Sequence, residues 1–106
     1  MEQKEIDVEE IVMNLVVNSG AARSLAMEAI DLAEHDSIAE ARAKLEESRE
    51  MIAKAHNFQT SLISGEANGE HHEVSLILVH GQDHLMTAMV VIDLAEKFIN
   101  LHEKRN

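Results

Sequence analysis

The sequence predicts an all-α protein, an antiparallel three-helix bundle, and three observations carry that expectation. Among 106 residues there is no proline and only 4 glycines, so little interrupts a helix. Apolar residues make up 45% of the chain but rings only 2%, which leaves Phe58 and Phe98 in a core otherwise built from aliphatic side chains and methionine. Apolar positions also recur at three- and four-residue spacing in three long segments separated by two polar breaks. A chain of this length holds one core, so a single domain over residues 1–106 is expected.

The first helix follows the stripe Ile11, Leu15, Ala22, Leu25, Ala29 and Leu32, with Asn18 its one polar member. Gly20 falls inside it, but the stripe keeps its phase across the glycine, so one continuous helix is expected. His35-Asp36-Ser37 breaks the pattern. Ser37 and Glu40 have the spacing of a capping box, so a second helix should begin there. Its buried stripe is Ile38, Ala41, Leu45, Ser48, Ile52, Ala55, Gln59 and Leu62, and Ser64-Gly65 should end it. Residues 65–73, GEANGEHHE, read as a polar loop in which His71 and His72 offer at most incidental metal binding. From Val74 a third helix carries one stripe of Leu78, Leu85, Ile92 and Ile99, with Gly81, Ala88 and Ala95 beside it. A second stripe holds Ile77, Val91 and Phe98. Two apolar stripes exceed what a bundle exterior needs, so this helix should be buried against its own bundle and against other subunits.

Formal net charge is -11, from 9 basic against 20 acidic residues. That field repels phosphate backbones and anionic lipid, so no nucleic acid and no membrane surface is expected as a partner, whereas a basic patch on another protein would be attracted. The absence of cysteine removes disulfides and thiolate chemistry. With no long apolar run and no signal pattern in MEQKEIDVEE, a cytoplasmic protein without membrane insertion is expected.

Within the apolar third helix stands His80-Gly81-Gln82-Asp83-His84. Buried polar groups cost free energy unless paired, so their concentration here needs a reason. His80 and His84 fall one turn apart on one face with Asp83 beside them, and Gln82 points to a different face, where a neighbouring subunit would more readily meet it. The residue chemistry leaves three readings open. One is a metal site, as in a metal-dependent hydrolase using His80, Asp83 and His84, since HxxDH echoes the zinc pattern HxxEH. Another is nucleophilic catalysis, in which a neutral imidazole takes a phosphoryl group. The third is an ordinary pair of interface histidines satisfied by hydrogen bonds. No glycine-rich nucleotide loop is present, so a phosphoryl donor would be another protein or a small molecule.

The run LVHGQDHLMT at 78–87 resembles the active-site helix of the lactose/cellobiose-type IIA component of the bacterial phosphoenolpyruvate-dependent sugar phosphotransferase system. Asn18-Ser19-Gly20 with Ala22-Arg23-Ser24, Ala55-His56 with Gln59-Thr60, and Glu66-Ala67 with Gly69 resemble the same family. The resemblance implies a homotrimer, a nine-helix assembly joined through the third helices. It implies that His80 is phosphorylated by the histidine-containing phosphocarrier protein and that the group passes to a cysteine of a IIB component. Uptake of a β-linked disaccharide of the lactose, cellobiose or chitobiose type would follow. His84 and Gln82 would orient the phosphoryl group, Gln82 from an adjacent subunit. Asp83 would meet its copies around a divalent cation, magnesium by expectation. His56 is expected to be an ordinary packed or interface residue, Arg23 a solvent-facing or salt-bridged one, and the methionines to fill gaps. A helical adaptor with the same fold, regulating a partner by docking alone, is the alternative from the binding class.

Overall fold

In a computed structural model that describes residues 8–71 and 73–105, three helices pack side by side: α1 (Val8–Glu34), α2 (Ile38–Ala67) and α3 (Leu76–Arg105). The expected all-α bundle is therefore present. The first seven residues, His72 and Asn106 lie outside the described part.

Helix α1 runs unbroken through Gly20, and its buried line is Val12, Leu15, Ser19, Ala22, Ala26, Ala29 and Ala33. Of the expected stripe, Ile11, Leu15, Ala22 and Ala29 are buried. Leu25 and Leu32 are only half-buried, while alanines and Ser19 hold the innermost positions. The reason is steric: α1 touches both other helices, and small residues at its centre let both approach while its leucines fill the flanks. Asn18, the polar member of the expected stripe, donates from its amide to the Asn14 carbonyl at 2.9 Å.

The first turn between helices differs from a capping box. Ser37 N donates to Leu32 O and Asp36 N to Ala33 O, at 2.9 and 3.0 Å, and Asp36 takes φ 64°. That is a Schellman closure of α1 with an aspartate in the left-handed position. Ser37 is thereby committed through its backbone N–H, and its side chain makes no cap bond although α2 starts after it as expected. The same closure recurs at the end of α2, where Glu70 N donates to Gly65 O and Gly69 N to Glu66 O. Here Gly69 supplies the left-handed residue, at φ 93°. The helix thus continues beyond the expected Ser64-Gly65 end, and Gly65 is a buried helical residue.

The α2 stripe stands as expected: Ala41, Leu45, Ser48, Ala55 and Leu62 are buried, with Ile38, Ile52 and Gln59 half-buried beside them. Ser48 Oγ donates to the Ala22 carbonyl at 2.6 Å, an interhelical bond that requires α1 and α2 to lie close. Helix α3 begins two residues later than Val74. Ser75 caps it, its carbonyl accepting from Val79 N and its hydroxyl from Leu78 N. Inside the bundle α3 buries Gly81, Leu85, Ala88, Ile92, Ala95 and Ile99, the expected stripe. Ion pairs tie its far half to α2, with Arg49 reaching Glu96 and Arg42 reaching Glu103.

Two pairs of substitutions test these assignments by urea unfolding at one fixed protein concentration. A Cβ on Gly81 would lie 3.3 Å from Leu15 Cδ1 and 3.4 Å from Val12 Cγ1, whereas one on Gly20 meets nothing within 4 Å. Leu15 and Val12 are fully enclosed and have little room to yield. Gly81→Ala should therefore destabilise by about 1 kcal/mol, overpacking outweighing helix propensity. Gly20→Ala should stabilise by about 0.5–1 kcal/mol, propensity acting alone. Ser75→Ala should cost about 1 kcal/mol and Ser37→Ala less than about 0.5, because only Ser75 makes a side-chain cap bond.

Candidate functional site

The first turns of α3 bring the sequence-predicted site residues together. Two inward residues set their orientation. Gly81 lies against Val12 and Leu15 of α1, and Leu85, one turn on, is fully buried. With those positions facing in, helix geometry at about 100° per residue turns 80, 83 and 84 outward.

His80 is exposed, and its Nε2 lies 3.2 Å from Nε2 of half-buried His84. The rings meet edge to face, with centroids 4.5 Å apart and planes at 90°. Such a contact requires one ring to donate N–H and the other to offer a lone pair, so at least one imidazole of the pair is neutral. An exposed ring nitrogen with a lone pair, held by a neighbouring N–H donor, is a nucleophile beside a ready hydrogen-bond donor.

Asp83 is exposed and forms no hydrogen bond or ion pair with a described residue. It shares a shallow depression with His80, Leu76, Ile77 and Val79. Its position also falls in a line of exposed apolar residues on α3, Leu76, Val79, Met86, Val90 and Leu94, spaced by threes and fours with Asp83 as the one charge. This outer line runs beside the expected second stripe. Of that set Val91 is half-buried against the bundle's own core, while Ile77 and Phe98 remain exposed. Leu76 is 87% exposed and Val90 56%, an unusual state for large apolar side chains.

Gln82 lies on a different face from His80, as expected. Two residues from His80 it lies about 200° around the helix, on the side that faces α2 of its own chain, and its Oε1 accepts from Gln59 Nε2 at 2.7 Å. Its other neighbours in a depression between α2 and α3 include Leu62, Ile63, Glu66 and Leu78. Sequence reasoning placed Gln59 on the inner stripe of α2 without this partner. The signal was there: an amide in a largely apolar stripe needs a polar group opposite it.

No three His, Asp or Glu residues converge as metal ligands among the described residues, His80, Asp83 and His84 included. The i and i+4 imidazoles contact each other rather than opening toward a shared ion. His56 and Arg23 are exposed. His71 lies exposed in the loop after α2.

The profile of the family described as PTS system, Lactose/Cellobiose specific IIA subunit matches residues 10–103. The chain is 47% identical over 98 residues to the lichenan-specific phosphotransferase enzyme IIA component of Bacillus subtilis (strain 168), covering 92% of this chain and 89% of that one. It superposes on the crystal structure of the PTS cellobiose-specific enzyme IIA from Bacillus anthracis with a TM-score of 0.90 at 46% identity, over 95% of this chain and 93% of that one. A chain in the solution structures of the IIA(Chitobiose)-HPr complex from the N,N'-diacetylchitobiose branch of the Escherichia coli phosphotransferase system matches with a TM-score of 0.79. That match has 46% identity and covers 96% of this chain and 97% of that one.

Proposed function

The chain belongs to the PTS system lactose/cellobiose-specific IIA subunit family, and on that premise we propose that His80 carries a phosphoryl group from the histidine-containing phosphocarrier protein to the cysteine of a IIB component. The relay serves uptake of a β-linked sugar of the lactose, cellobiose or chitobiose type, and it works in the cytoplasm. No helix among the described residues is long and apolar enough to cross a membrane. The observation that supports the role of His80 is its exposed imidazole, whose Nε2 stands 3.2 Å from that of His84.

A lone pair of neutral His80 attacks the phosphorus of the donor's phosphohistidine, and the new N–P bond forms as the N–P bond to the donor ring breaks. With His84 as the Nε2–H donor, the same N–H that holds the resting His80 ring turns to a phosphoryl oxygen once the group arrives. Passage to the IIB thiolate reverses the exchange, an S–P bond replacing the N–P bond and returning His80 to its neutral form. Gln82 adds a donor from an adjacent subunit.

The outer line of α3 supports a homotrimer in which the third helices meet. Large apolar side chains left in water along five turns favour burial against like surfaces. Asp83 interrupts that line, and three copies would bring three carboxylates together. Two carboxylates about 4 Å apart at an effective dielectric constant of about 20 repel by about 4 kcal/mol. A hard cation such as magnesium suits carboxylate oxygens, and three Asp83 side chains without partners of their own are apt ligands. It would supply charge neutralisation at the axis.

Two outcomes test this reading. After incubation with phosphoenolpyruvate, the general phosphotransferase enzyme and the phosphocarrier protein, intact mass should show one acid-labile phosphoryl group per chain, and none in His80→Ala. An unmodified wild type in a correctly assembled oligomer would overturn the assignment. Asp83→Leu should abolish bound metal and raise the melting temperature of the trimer, because apolar replacement of buried ionic groups is often neutral or stabilising. Unchanged metal content together with unchanged melting would remove Asp83 from the axis.

A further inference from the structure

An amide side chain has two ends of opposite character: its NH2 group donates and its carbonyl accepts. Gln82 meets Gln59 through its carbonyl, which accepts from Gln59 Nε2 at 2.7 Å in a half-buried setting between α2 and α3. The pairing leaves the Gln82 NH2 group as the end with bonding capacity to spare. A phosphoryl group carries acceptor oxygens only, so the uncommitted end is the useful one. Without Gln59, rotation about the last side-chain torsion would offer carbonyl and NH2 alternately, and the carbonyl would repel a phosphoryl oxygen.

We propose that Gln59 is a positioning residue of the phosphoryl site, fixing the amide of Gln82 so that its NH2 group faces the phosphoryl group carried on His80 of a neighbouring copy. Gln59 acts through Gln82 and does not itself touch the group. The proposal rests on the trimeric carrier reading, because Gln82 lies on the side of α3 away from its own His80. It also gives the one amide of the α2 stripe a task that packing alone does not. A leucine at 59 would satisfy the apolar stripe but leave the Gln82 carbonyl without its partner.

The test is a double-mutant cycle on the rate of phosphoryl uptake from the phosphorylated phosphocarrier protein, with the half-life of the phosphohistidine as a second readout. Gln82→Leu should slow uptake about tenfold and Gln59→Leu about threefold, sizes in keeping with one lost or disordered hydrogen bond. The double variant should match Gln82→Leu alone, since Gln59 has nothing left to orient. Gln59→Glu should slow uptake more than Gln59→Leu, because a carboxylate draws the NH2 group inward and turns the carbonyl out. Each variant is checked for trimer mass and melting temperature, and His80→Ala serves as the blank. Independent, multiplicative effects of the two leucine substitutions would overturn the proposal, as would wild-type uptake in both Gln59 variants. Failure of wild type itself to take up a phosphoryl group would instead strike the carrier reading. Should Gln59→Leu fail to assemble, Gln59→Met keeps the length of the side chain and completes the cycle.

Discussion

The close approach of α3 to α1 at Gly81 is the constraint on which the site depends. A Cβ there would sit 3.3 Å from Leu15 Cδ1, so the absence of a side chain lets the backbone of the reactive turn rest directly on α1. Helix periodicity then leaves no freedom. With 81 and 85 inside, 80, 83 and 84 must face out, and 82 must face α2. The same economy of volume runs along α1, where Ser19, Ala22, Ala26, Ala29 and Ala33 hold the centre. Ser48 confirms the closeness of α1 and α2 by donating to a main-chain carbonyl across the gap, a bond that bulky residues at 22 or 26 would prevent.

This packing divides α3 into faces with separate tasks. The inner face is aliphatic and fully enclosed. The α2-facing edge carries the Gln59–Gln82 pair near the reactive turn, and the Arg49–Glu96 and Arg42–Glu103 ion pairs further along. Those ion pairs are 41–54% exposed, so they contribute little net stability and serve mainly to fix the register of α2 on α3. The outer face is apolar except at Asp83, a pattern that burial within one chain does not explain. On the proposed reading, reactivity and assembly would occupy adjacent edges of one helix, with His80 at the margin of the face where copies would meet.

The amino-acid sequence alone determined the class of fold, the inner stripes of α2 and α3 and the placing of the His80–His84 cluster on α3. These follow from local rules: apolar spacing has a period, proline is absent, and polar residues in an apolar helix stand out. It also determined the family through LVHGQDHLMT. The cap chemistry was legible only in part. A serine with a glutamate three residues on looks like a capping box, yet the left-handed Asp36 engages the Ser37 backbone in closing α1, and Ser75, with no such glutamate, makes the side-chain cap.

Only the tertiary structure decided that Leu25 and Leu32 flank the buried line of α1, that the outer face of α3 runs through Val79, Asp83 and Met86, and that Gln82 turns to Gln59 in its own chain. The physical reason is common to all three. Periodicity fixes which residues share a face but not the rotation of each helix about its axis. That rotation is settled by volumes meeting across helices, alanine against serine in α1 and glycine against leucine at the reactive turn. An amide partner 23 residues away in sequence becomes visible only once those volumes have set the helices against each other.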